Sequence, residues 1–93
     1  MAALSKPEIQ QKLKAMHDWS HQGKSIHKRY TFKAFMPAIG FVNKIAEAAE
    51  TAGHHPDITI NYNVVSIAIS THSEGGVTQK DFDLAAQIDQ LAG

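Results

Sequence analysis

The sequence predicts an α+β fold, a single domain over residues 1–93 with the element order α-β-β-α-β-β-α. Its four strands form one antiparallel sheet with the helices packed on one face. Three observations predict this. Residues 19–32 and 57–72 each alternate in polarity around a turn, as hairpins do. Between them, Lys33 to Ala52 repeats apolar residues at helical spacing. Capping signals open a helix near each end of the chain, at Ser5 and at Thr78. Two hairpins flanking a long helix bury their apolar faces best as one sheet under a helical layer.

The first helix starts at Ser5-Lys6-Pro7-Glu8. Ser5 can cap, Pro7 belongs in the first turn, and Glu8 stands three residues after Ser5 as a capping box requires. Ile9, Leu13 and Met16 form its apolar stripe, and the helix should end near His17. Trp19 to Phe32 reads as a hairpin turning near Gln22-Gly23-Lys24-Ser25, with Trp19 as a core anchor. Ile26, Tyr30 and Phe32 share one parity, and His27, Arg29 and Thr31 share the other. Lys28 interrupts the apolar face, which suggests an edge strand or a snorkelling side chain.

In the long helix, Phe35, Ile39, Val42, Ala46 and Ala49 form one stripe, widened by Phe41, Ile45 and Ala48. Gly53 suits the left-handed residue that ends it. Asp57 to Tyr62 and Val64 to His72 are the second pair of strands, turning at Asn63. The Val/Ile-rich stretch from Val64 to Ile69 reads as an edge that a second subunit would cover. After the loop Ser73-Glu74-Gly75-Gly76, Thr78 caps the last helix with Asp81 three residues on, and Leu84, Ile88 and Leu91 give its stripe.

A domain of 93 residues buries only about 60–65% of the surface its unfolded chain exposes, so oligomerisation is expected to help stabilise it. Nine Lys and Arg balance nine Asp and Glu, which speaks against nucleic acid or an anionic membrane as partner. With no cysteine there is neither a disulfide framework nor thiol chemistry. Met1 is followed by no signal-peptide pattern, and no apolar run reaches the ~18 residues of a membrane span, so the cytoplasm is the default address.

The chemistry-bearing residues cluster between Glu50 and Asp81. His54 and His55 follow the long helix, Pro56 turns their rings apart, and Glu50 lies one turn before His54. His72 arrives from the end of a strand. If that strand end lies beside the helix end, three imidazoles converge, and imidazole is the side chain best suited to moving protons near neutral pH. The plainer reading is a helix cap at His54-His55-Pro56, a surface residue at His72 and a capping residue at Asp81. A zinc site is disfavoured, because adjacent histidines seldom meet on one ion and no H-E-x-x-H spacing occurs.

The series Glu50, His54-His55-Pro56, Tyr62, His72, Asp81, at intervals of three, five, nine and eight residues, resembles the signature of the pterin-4a-carbinolamine dehydratase family. The resemblance extends to Trp19, Phe32-Lys33-Ala34-Phe35, Gly40-Phe41 and Ser70-Thr71-His72, about three quarters of the chain. It implies dehydration of 4a-hydroxytetrahydropterin to quinonoid dihydropterin, in support of tetrahydrobiopterin recycling, with no metal and no organic cofactor. It implies His54 and His72 as the acid/base pair, His55 as the residue that mainly holds the pterin, and Glu50 as the residue orienting His54. Gly53, Ser70 and Thr71 complete the implied substrate contacts, the last two through backbone groups, while Pro56 and Asp81 are implied as supports. Gly53 and Ile58 depart from many animal members, which carry an acidic and an aromatic residue there. A second function is implied by animal members that serve as dimerisation cofactors of a transcription factor through their helix surfaces.

Overall fold

The computed structural model describes residues 2–92, and Met1 and Gly93, with the reading made at Met1, lie outside them. Helix α1 spans Lys6–Leu13, strand β1 Ser20–Gln22, strand β2 Ser25–Thr31 and helix α2 Phe35–Ala52. Strand β3 spans Asp57–Asn61 and strand β4 Val64–Ile69. A short 3-10 turn, His72–Glu74, precedes helix α3, Gln79–Leu91. The order and the antiparallel pairing are those the sequence predicts. Among the described residues no helix is long and apolar enough to cross a membrane.

Both predicted capping boxes form. Ser5 Oγ accepts from the Glu8 N–H while Glu8 accepts from the Ser5 N–H, and Thr78 and Asp81 repeat the exchange at α3. The backbone bond from Ser5 holds the Glu8 carboxyl below its usual range. Helix α2 has no side-chain cap at Ala34 and stops at Gly53, whose φ of 64° lets its N–H reach Ala49 and Glu50 carbonyls. Helix α1 ends at Leu13, a turn earlier than expected. There the backbone tightens, with Ala15 and Met16 N–H groups bonded three residues back, before Asp18 takes a positive φ of 65°.

The sheet order is β1-β2-β4-β3. Strand β4 is therefore central, paired with β2 on one side and β3 on the other, and not the expected edge. Its burial alternates, Val65, Ile67 and Ile69 fully buried and Val64, Ser66 and Ala68 half-buried. Val65, Ile67 and Ile69 point to the helices and are buried, with Ile26 and Tyr30 of β2 beside them. Against them pack Ala38, Phe41 and Ile45 of α2, Leu84, Ala85 and Ile88 of α3, and Ile9 of α1. Each fully buried Val, Leu, Ile or Phe among them contributes about 1.5–3 kcal/mol by leaving water. The opposite face carries His27, Arg29, Thr59, Ser66 and Ala68.

The buried line of α2 is Ala38, Phe41, Ile45 and Ala49. Of the predicted principal stripe only Ala49 belongs to it, Phe35 being exposed and Ile39 and Val42 half-buried. Apolar residues cover so much of α2 that spacing alone does not tell the core line from its flank. Lys28 sits on an inner strand and on the helix-facing side. Its Nζ donates to Asp89 Oδ1 at 2.8 Å and lies 4.7 Å from the Tyr30 ring centroid. Trp19, buried as predicted, donates from Nε1 to Asp89 Oδ2 at 3.0 Å, and Tyr30 donates its hydroxyl to Asp89 Oδ1. Burial pushes the Asp89 carboxyl up, but the hydrogen bonds from Lys28, Tyr30 and Trp19 outweigh it and hold the group below its usual range. Tyr62 leaves the strand for the turn, with φ 52° and its ring exposed.

Candidate functional site

The left-handed stop at Gly53 turns the chain out of α2, and the His54 N–H still bonds the Ala49 carbonyl. His54 is thereby held under the start of α3, where its Nε2 lies 2.5 Å from Asp81 Oδ1, and against a carboxylate oxygen the nitrogen is the donor. Asp81 has no exposure to solvent. Its Oδ2 accepts from the Thr78 N–H at 2.8 Å and from the Thr71 hydroxyl at 3.0 Å. A buried carboxylate needs such donors, because an unpaired one would be strongly disfavoured. The arrangement fixes which nitrogen of His54 is free. Nε2 carries the proton given to Asp81, so Nδ1 of the neutral ring is an acceptor. Nδ1 has no hydrogen-bond partner among the described residues, and no buried side-chain nitrogen or oxygen there lacks one, so solvent reaches Nδ1.

His55 turns the other way, as the extended backbone before Pro56 requires. Its Nε2 lies 2.5 Å from Glu50 Oε2, and both side chains are mostly exposed. Glu50 thus pairs with His55, whereas the family resemblance implied that it orients His54. The orienting carboxylate of His54 is Asp81, which the sequence marked as a cap and a support. The signal was present in the motif that ends at Asp81, but a capping box accounts for that residue completely until the fold places His54 beside it.

Strand β4 ends at Ile69, three residues short of the predicted end, because the chain turns at Thr71. The Thr71 N–H bonds the Gly76 carbonyl, and the Glu74 N–H bonds the Thr71 carbonyl, closing the turn that carries His72. His72 is exposed and lines a cavity of about 250 Å³ with Ser70, Asp57, Gly75, Gly76 and, from the first hairpin, Lys24 and Ser25. Neither His54 nor His55 is in that wall. His54 lines a smaller recess of about 170 Å³ with Lys80, Asp83, Leu84 and Gln87. The three imidazoles are therefore not enclosed in one cavity. Two of them are linked by bonded neighbours, His54 to Asp81, Asp81 to Thr71, and Thr71 by the chain to His72, while His55 pairs with Glu50 outside that chain. Among the described residues no three His, Asp or Glu side chains group as metal ligands.

Sequence reasoning missed Lys24, Ser25 and Asp57. Lys24 and Ser25 enter because Ile26 pairs with Ile69, which brings the first turn to the end of β4. That register joins residues far apart in sequence, so spacing carries no sign of it.

A 52% identical protein of Picosynechococcus, provisionally named pterin-4-alpha-carbinolamine dehydratase, aligns over 95% of this chain and 96% of its own. A protein of Acidobacterium capsulatum with the same provisional name is 48% identical, over 98% of this chain and 99% of its own. A Brucella melitensis crystal structure, described as a transcriptional coactivator/pterin dehydratase, superposes with a TM-score of 0.94 at 34% identity, over 98% of this chain and 99% of that one. A pterin dehydratase-like protein identified as a RuBisCO assembly factor in the alpha-carboxysome superposes with a TM-score of 0.73 at 28% identity, over 84% of this chain and 93% of that one. The model of the pterin 4 alpha carbinolamine dehydratase family matches residues 2–91, and the chain belongs to that family.

Proposed function

We propose that the protein dehydrates a 4a-hydroxytetrahydropterin by histidine acid/base catalysis, in support of tetrahydrobiopterin recycling. In this reaction the C4a–O bond breaks, the N5 proton leaves, a C4a=N5 bond forms and water departs. It needs an acid at the leaving oxygen and a base at N5, and no redox partner. His54 and His72 fill these two roles, His55 holds the pterin, and Glu50 steadies His55. The observation that carries the reading is the pair His54–Asp81, in which a buried carboxylate fixes one imidazole nitrogen and leaves the other open to solvent. A ring held in this way takes or gives a proton without reorienting. The polar edge of the pterin meets Ser70, Thr71 and His72, with Gly53 and Pro56 shaping the chain between the histidines. The chemistry calls for no metal or organic cofactor, the cytoplasm is its setting, and the working form is a homodimer or homotetramer.

The test is an ultraviolet stopped-flow assay on freshly generated 4a-hydroxytetrahydropterin with chelator present. Wild type should accelerate dehydration, and His72→Ala should abolish the acceleration. Folded wild type that leaves the spontaneous rate unchanged overturns the proposal.

A second function, protein binding through helix surfaces, is favoured by the exposed Phe35 and Met36 and by a groove of about 400 Å³ between α2 and α3. The coactivator description of the Brucella protein supports it. Replacing His72 should leave such binding intact.

A further inference from the structure

We propose that Thr71 is a positioning residue that couples the two halves of the site. Its hydroxyl holds Asp81 against His54, while its backbone sets the turn that carries His72. Thr71 is buried and makes both sets of bonds at once. The direction of the hydroxyl chain follows from its ends. The Lys80 N–H can only donate, and it donates to Thr78 Oγ1 at 3.2 Å. The Thr78 hydroxyl lies 2.8 Å from Thr71 Oγ1, and Thr71 spends its one proton on Asp81 Oδ2 at 3.0 Å. Thr78 must therefore donate to Thr71. Every proton in the chain points toward Asp81. The carboxylate is then satisfied on Oδ2 and turned so that Oδ1 remains for His54 Nε2. Without the Thr71 hydroxyl, Thr78 loses its acceptor and Oδ2 keeps only the Thr78 N–H. The carboxylate plane is then free to rotate, and the preference of His54 for one tautomer relaxes. The charged groups facing His54 are Asp81, Lys80 and Asp83, all from α3, and of these only Asp81 loses a bond when Thr71 is changed.

The kinetic part of this inference rests on the dehydratase reading, and the spectroscopic part does not. The experiment records imidazole nitrogen shifts in uniformly ¹⁵N-labelled protein, with kcat and KM, for wild type, Thr71→Val, Thr71→Ala and Thr71→Ser. Wild type should show His54, with its ring neutral, as a single Nε2–H tautomer. Thr71→Val and Thr71→Ala should show averaged nitrogen shifts and a kcat lower by up to about 10²-fold at unchanged KM, the scale expected of a misplaced catalytic group. Thr71→Ser should restore both. Thr71→Ala keeps the test open if valine prevents folding. A purely structural role would lower Tm in all variants without moving the His54 nitrogens. Wild-type His54 shifts in either folded hydroxyl-less variant overturn the proposal, whatever the rate. If no dehydration is found in any form, the nitrogen shifts alone decide it.

Discussion

His54 Nε2 stands 2.5 Å from Asp81 Oδ1, so a ring from the end of α2 is aimed by a carboxylate on the first turn of α3. Asp81→Asn keeps the shape and can still cap. It replaces the anion that favours Nε2–H with an amide able to donate, so the tautomer is no longer imposed. The expected result is a fall in kcat of about 10²-fold or more with KM little changed. Stability should drop by about 1–3 kcal/mol, since a buried network loses a charged acceptor. Steady-state kinetics and urea unfolding check both.

Glu50→Gln should behave differently. The Glu50–His55 pair is mostly exposed, and such pairs contribute under about 1 kcal/mol to stability. Its loss should raise KM a few-fold and leave kcat near wild type, the sign of a residue that steadies binding. A fall in kcat as deep as that of Asp81→Asn would move Glu50 into the proton-transfer machinery.

Asp89 sets a limit on acid stability. Its folded carboxyl lies below the usual range despite burial, owing to donors from Lys28, Tyr30 and Trp19. A depressed carboxylate stabilises above its unfolded value of about 3.9, and that contribution is lost as pH falls through the folded value. Asp89→Asn should therefore have a lower Tm than wild type at pH 7, and the gap should narrow below about pH 4. Tyr30 acts at the other extreme. Burial and Asp89 raise its phenol, so its contribution is complete below about pH 10 and fades above it. Tm measured from pH 3 to 11 shows both edges.

Gly53→Ala should destabilise by about 1 kcal/mol, because the φ of 64° places a side chain in the left-handed region. Space is not the obstacle, as an added Cβ would meet nothing within 4 Å. Gly53→Asn should therefore cost less than Gly53→Ala, since asparagine tolerates that conformation. Denaturant unfolding of the two variants separates conformational strain from crowding.

Most of the fold was legible because its signals are local. Ser5 with Glu8, Thr78 with Asp81, and Gly53 announce helix ends within a turn of themselves. The alternation in 57–61 and 64–69 announces strands in the same way. Strand order was not legible. The pairing of β2 with β4 spans the whole of α2, and the central place of β4 follows from that pairing alone. The site divides along the same line. His54, His55 and His72 stand out by residue type, and Glu50 by its helical spacing. The partners of the His54 and His55 rings were hidden, because Asp81 already had a sufficient local purpose and Glu50 lies within reach of either adjacent histidine.

The pairing of Ile26 with Ile69 has one more consequence. It makes the Lys24-Ser25 side of the His72 cavity out of a hairpin turn, not out of the packed interior. Lengthening or shortening that turn would resize the cavity while leaving every buried contact of the sheet in place. A few exposed residues can thus change the size of this cavity with the three histidines and the folding of the chain left untouched.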